Sequence, residues 1–122
     1  MNIIKGVARD GINRQQITTS WMHDPGDPLS VHVHFHEHEH TWTFALDLLL
    51  ETFTSPPNQV HGLGDVQIEL MGDSVIILLS NGVESATLKF PAESIQDFLY
   101  QIDDQGTEEI IAREIEEWLE KL

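Results

Sequence analysis

The apolar positions of the chain change period three times, and each change marks a new kind of element. Over residues 1–23, Ile3, Ile4, Val7, Ile12, Ile17, Trp21 and Met22 alternate weakly with polar neighbours, which predicts one or two strands. Asp24-Pro25-Gly26-Asp27-Pro28 holds two prolines and a glycine in five residues and predicts a firm turn. Val31, Val33 and Phe35 then alternate with His32, His34 and His36, the period of a half-buried strand. Residues 37–40 interrupt the alternation and Trp42 and Phe44 resume it, so a hairpin is expected with His-Glu-His-Glu as its turn. From Ala45 the period becomes helical: Leu46, Leu49, Leu50 and Phe53 recur at i, i+3, i+4 and i+7. Thr54-Ser55-Pro56-Pro57 ends that helix, because proline lacks a donor and biases its predecessor away from helix.

A loop containing Gly62 and Gly64 leads to three further strands, over 66–71, 75–79 and 83–90. They are divided by Gly72-Asp73 and Asn81-Gly82, and Asn-Gly between apolar runs is a strong hairpin signal. A three-stranded antiparallel meander follows. Phe90-Pro91 opens a helix with proline in its first turn, a stripe of Ile95, Phe98, Leu99 and Ile102, and Gly106 as its cap. Thr107 is suited to N-cap a last helix, with Glu108 and Glu109 at its positive end, Lys121 at its negative end, and Ile111, Ile115, Trp118, Leu119 and Leu122 as its stripe. That helix either packs on its own sheet or seals a contact between subunits. About five or six strands and three helices without regular βαβ alternation predict one α+β domain spanning residues 1–122.

Charge narrows the function classes. The formal net charge is −15, from 21 acidic and six basic residues, which argues against binding to nucleic acid or anionic lipid. Three of the six bases (Lys5, Arg9, Arg14) fall in the first fourteen positions, whereas ten of the acids lie from Glu93 onward. No apolar run approaches the ~20 residues of a membrane span, so direct membrane insertion is not expected. There is no cysteine, hence no disulfide, zinc knuckle or thiol nucleophile. A cytoplasmic location fits these features.

The candidate chemistry is concentrated in the histidines, five of seven of which stand at 32, 34, 36, 38 and 40. On an extended strand His32, His34 and His36 share one face at ~7 Å steps, and neighbouring imidazoles could share a zinc or copper ion with Glu37 or Glu39 nearby. Gly26, His32, His34 and Glu39 also match the start of a cupin motif, but the glycine expected after the glutamate and the second histidine motif are missing. The bland reading is a solvent-facing row on a hairpin, with no metal. Histidines near Asp24, Glu37 and Glu39 could also lend a pH response. No carboxylate pair is singled out among so many acids, no serine stands in a Gly-x-Ser-x-Gly setting, and the Gly-Leu-Gly-Asp segment forms no phosphate loop. No catalytic residue and no cofactor is therefore expected.

Taken together, DPGDPLSVHVHFH, WTFALDLLLETF, GLGDVQIEL and ATLKFPAESIQDFLYQ occur in the order found in the SsgA-like proteins of sporulating actinobacteria, which the chain resembles over about 24–102. The resemblance is carried by Asp24, Pro25, Asp27, Pro28, Val31, His32, Phe35, His36, Trp42, Phe44, Ala45, Asp47, Leu48, Leu49, Gly64, Asp65, Val66, Pro91, Phe98 and Leu99. Leu46 stands where the family pattern has arginine, the hairpin after Phe35 is shorter, and His34, His38 and His40 are not positions of the pattern. The first twenty residues match poorly and the C-terminal tail is compressed. The resemblance implies a non-enzymatic regulator of cell division and sporulation that acts through protein–protein contacts, helps choose the septum site and recruits the tubulin-like division protein FtsZ. It also implies antiparallel sheets with C-terminal helices in a fold like that of the whirly single-strand nucleic-acid-binding proteins, assembled as a homotrimer. A histidine-rich metal-binding or small cupin-like protein is the alternative.

Overall fold

The weak alternation at the start becomes two long strands, β1 (Asn2–Asp10) and β2 (Asn13–Asp24), in the computed structural model, which describes residues 2–62, 64–80, 82 and 84–102. They pair without a break from Asn2 opposite Trp21 to Asp10 opposite Asn13. Gly11, at φ 61°, takes the first position of the two-residue loop between them, the place that a II′ turn reserves for glycine. The Asp-Pro-Gly-Asp turn forms as expected: the Asp24 Oδ1 accepts the Gly26 N–H at 2.8 Å, and β3 (Asp27–Phe35) follows. β4 (His40–Ala45) returns along β3, with Phe35 opposite His40, so the hairpin turn is residues 36–39, the expected histidine–glutamate segment.

Helix α1 (Leu46–Thr54) starts directly after β4 and ends where the Ser55 N–H donates to the Glu51 carbonyl, ahead of the two prolines. Leu46, Leu49 and Thr52 are buried, while Leu50 and Phe53 are only half-buried, so the buried face is turned slightly from the leucine stripe. Thr52 is tolerated there because its hydroxyl donates to the Leu48 carbonyl at 2.8 Å. A two-residue strand, β5 (Val60–His61), lies in the segment expected to be a loop. β6 (Val66–Met71), β7 (Ser74–Ser80) and β8 (Ser85–Pro91) form the expected meander. Two boundaries differ. Ser80 pairs with Ser85, so a four-residue connection replaces the two-residue Asn-Gly turn; Asn81 and Val83 are outside the described residues. Pro91 ends β8 opposite Ser74, and α2 (Ala92–Ile102) begins after it, with the Ala92 N–H donating to the Asp73 carbonyl. Helix α2 buries Ala92, Ile95, Phe98 and Ile102. The Gly106 cap and the last helix expected over 107–122 lie outside the described residues.

Among the described residues eight strands form one antiparallel sheet in the order β4-β3-β2-β1-β8-β7-β6-β5, where five or six were expected. It consists of two four-stranded meanders joined by three residue pairs between β1 and β8: Val7–Lys89, Ala8–Leu88 and Arg9–Thr87. A flat sheet would hold β3 and β6 about 24 Å apart at five strand spacings. Helix α1, at most about 12 Å wide, nevertheless touches both, so the sheet curls around it. The fold is α+β, a curled antiparallel sheet with helices on its inner face. Among the described residues these two meanders contain no Greek key, which speaks against the cupin-like alternative, since a cupin is a jelly roll.

The two halves meet at Trp21. Fully buried, its ring stands edge-on to Phe44, Phe90 and Phe98, at centroid distances of 6.0, 5.5 and 5.7 Å. Its indole N–H donates to the Thr19 hydroxyl oxygen, and that hydroxyl donates to the Ile4 carbonyl on β1. Gly6 leaves room for the Phe90 ring beside it: a Cβ there would lie 2.5 Å from Phe90 Cδ1 and 2.6 Å from the Lys89 carbonyl oxygen.

Candidate functional site

The histidine row divides among three surroundings. Val31, Val33 and Phe35 take the inner face of β3 and are buried, so strand alternation forces His32 and His34 outward. There each bonds across to β4, His32 Nδ1 to the Thr43 hydroxyl at 2.9 Å and His34 Nδ1 to the Thr41 hydroxyl at 3.0 Å. His32 Nε2 also lies 3.4 Å from a carboxylate oxygen of Asp27. His36 begins the turn and leans the other way, its Nε2 2.6 Å from the Ser20 hydroxyl on β2. The backbone clamps the same turn to β2. The His36 N–H donates to the Thr18 carbonyl at 3.0 Å, and the Thr18 N–H donates to the Glu37 carboxylate at 2.8 Å. Desolvation pushes the Glu37 carboxyl up, but the N–H groups of Glu37 and Thr18 and the neighbouring His36 outweigh it and hold the group below its ordinary value.

His38 and His40 stand at the open end of the curled sheet. They border a hollow of about 740 Å³ whose walls include Phe35, Trp42, Leu79 and Leu88, with Arg9 and Arg14 at its rim. The His40 ring is edge-on to Trp42 at 5.8 Å. His32, His34 and His36, the candidate ligands of the metal alternative, therefore sit side by side with their nearest nitrogens committed to hydroxyls. The His34 and His36 rings are 5.9 Å apart, and among the described residues no group of three histidine, aspartate or glutamate side chains converges as a metal site would require.

Two histidines outside the row serve the scaffold. The register between β2 and β3 slips between Met22 and Asp24, and the His23 Nε2 contacts the Pro28 carbonyl at 2.8 Å across that irregularity. His61 Nδ1 lies 3.9 Å from the Glu51 carboxylate, which ties β5 to α1. Lys89 was not singled out by the sequence, yet it joins Lys5, Arg9 and Arg14 on adjacent strands of the outer face. The available signal was the i, i+4 spacing of Lys5 and Arg9, which puts both on one side of a strand. Among the described residues no helix is long and apolar enough to cross a membrane.

The family model described as Streptomyces sporulation and cell division protein, SsgA, matches residues 17–119, beyond both ends of the span covered by the sequence motifs. The structure is similar to that of SsgB of Streptomyces coelicolor, mutations in which correlate to longitudinal cell division during sporulation. The TM-score is 0.73 at 27% identity, covering 84% of this chain and 82% of that one. It is also similar to an SsgA-like sporulation-specific cell division protein from Thermobifida fusca, with a TM-score of 0.75 over 99% of this chain and 93% of that one; at 20% identity this likeness speaks for the fold alone. No curated protein matches the sequence.

Proposed function

The chain belongs to the SsgA family of sporulation and cell division proteins, and from that membership we propose that it is a non-enzymatic division regulator acting through protein–protein contacts at the septum. The observation that carries this reading is the family match over 17–119, together with a fold that superposes on SsgB over most of both chains. The proposed partner is FtsZ or another division protein, met in the cytoplasm where a septum forms. Copies of the chain are proposed to assemble as a trimer whose curled sheets are of the whirly type. The charge of −15 supports a role without nucleic acid even on such a scaffold, because fold does not carry function.

Immobilised full-length chain should capture FtsZ from solution, and light scattering should give three times the 13.9 kDa chain mass. Failure to retain FtsZ at micromolar concentrations would remove it as the partner. A monomer in light scattering would remove the trimer.

A further inference from the structure

The four basic residues of the described part of the chain gather on one patch. Strand pairing puts Lys5, Val7 and Arg9 on the outer face of β1, with Arg14 beside them on β2 and Lys89 on β8. Arg9 lies directly opposite Arg14, and Lys89, opposite Val7, is diagonal to both Lys5 and Arg9. Like charges directly opposite across strands destabilise a sheet. With 21 acidic side chains in the sequence an internal partner would be easy to supply. Yet among the described residues the histidine–carboxylate contacts His32–Asp27 and His61–Glu51 leave these four cations out. The ground between them is concave. A hollow of about 640 Å³ is bordered by Lys5, Arg14 and Lys89, and a smaller one of about 270 Å³ by Arg9, Arg14 and Lys89, with Val7 and Ile76 as apolar floor. Two carboxylates stand at its margin, Glu37, which accepts the Thr18 N–H at 2.8 Å, and Asp73, 3.4 Å from the Ser74 hydroxyl, and neither forms an ion pair with these cations.

We propose that this outer face of β2, β1 and β8 docks an acidic segment of a protein partner, a short stretch in which aspartates or glutamates alternate with apolar side chains. The carboxylates would neutralise Arg9 facing Arg14, and the apolar side chains would cover Val7 and Ile76. A nucleic acid carries uniform charge beyond the patch and meets the repulsion of a chain of net charge −15, whereas a short segment stays within the ~8–10 Å over which the local cations dominate. That the partner is a protein rests on the function proposed above; the patch itself does not.

The test is fluorescence anisotropy of the full-length chain with a labelled peptide of about seven residues alternating glutamate and leucine, long enough to run from Lys5 to Arg9 along the strand. Saturable binding at low salt that weakens as salt is added is expected. Arg9→Glu should weaken it by about tenfold or more while the thermal midpoint stays level or rises, because the new carboxylate faces Arg14. A gain in stability with a loss of binding excludes misfolding as the cause. The double variant Lys5→Gln, Lys89→Gln should weaken binding independently. No saturable binding, equal binding by both variants, or tighter binding of a labelled oligothymidylate or of phosphatidylglycerol vesicles overturns the proposal. Peptide binding without FtsZ capture leaves this surface standing and removes FtsZ as partner; FtsZ capture without peptide binding does the reverse.

Discussion

Replacing Trp21 by alanine should cost about 3–5 kcal/mol, the range for emptying a large aromatic site in a packed core. The side chain is fully buried and touches rings from β4, β8 and α2, so it joins both meanders of the sheet and one helix. Each edge-on pair contributes about 0.5–1.5 kcal/mol beyond its buried area, but three pairs sharing one ring are not independent and do not sum. For 122 residues the whole stability is about 6–18 kcal/mol, so this one deletion removes a large share of it. Trp21→Phe divides the cost. It keeps a ring in the cluster but deletes the indole N–H, leaving the Thr19 oxygen without a donor it had at 2.9 Å, which should cost about 1–3 kcal/mol. Urea titration followed by far-UV circular dichroism measures both, with the slope checked for constancy. If the alanine variant lost less than about 1 kcal/mol, Trp21 would not be the junction of the two halves. If the phenylalanine variant lost as much as the alanine variant, the hydrogen bond rather than the ring cluster would hold that junction.

Gly6→Ala should cost about 1–3 kcal/mol, because the added methyl meets the backbone oxygen of Lys89 as well as the Phe90 ring, and the backbone oxygen cannot step aside alone. Faster hydrogen exchange across the β1–β8 seam should accompany the loss, and unchanged exchange there would contradict the assignment. Leu46→Arg restores the residue of the family pattern but puts a charge where the leucine is 5% exposed, so at least about 2–5 kcal/mol should be lost; a native urea midpoint would refute this. Because the folded-state pKa of Glu37 is lowered from 4.5, its stabilising contribution is in place above that value and fades as pH falls through the depressed one. The urea midpoints of the native chain and Glu37→Gln should therefore differ near neutral pH and converge in acid. Curves that stay parallel down to about pH 3 would show that the carboxylate contributes nothing.

What the sequence made legible were the features carried by local chemistry. The Asp24 turn, the His-Glu-His-Glu hairpin and the proline stop after Thr54 depend on residues within a few positions of one another, and each forms as expected. β5 escaped because a two-residue strand has no period to detect; it exists through its pairing with Ile68 and Glu69. Thr52 escaped because a polar side chain in a buried face is visible only once its hydroxyl is seen to bond the helix backbone. The division of the histidine row is likewise a tertiary fact. Alternation places His32 and His34 outward, but it says nothing of Ser20 drawing His36 toward β2 or of the curl that brings His38 and His40 to the open end.

Several of the residues that carry the family resemblance build the scaffold, while others, Asp27, His36, Asp47 and Asp65 among them, are exposed. Asp24 closes a turn, Val31, Phe35, Phe44, Leu49 and Phe98 are buried, and Pro91 ends β8 where α2 begins. Side chains held inside the fold cannot also meet a partner, so the buried part of the resemblance speaks for the architecture and not for what is bound. The cations of the outer face have the opposite character: three of the four precede residue 17, where the family match starts, and Lys5, Arg9, Arg14 and Lys89 are all exposed. If partner choice resides on that face, exchanging only the exposed Lys5, Arg9 and Arg14 for the residues of a relative should move binding preference while leaving Ile4, Gly6 and the core around Trp21 intact. The peptide anisotropy and the urea midpoint, measured on the same exchanged chain, separate the two roles: binding should change and the midpoint should hold within about 1 kcal/mol. A midpoint that falls with binding unchanged would give these cations a role in the scaffold alone.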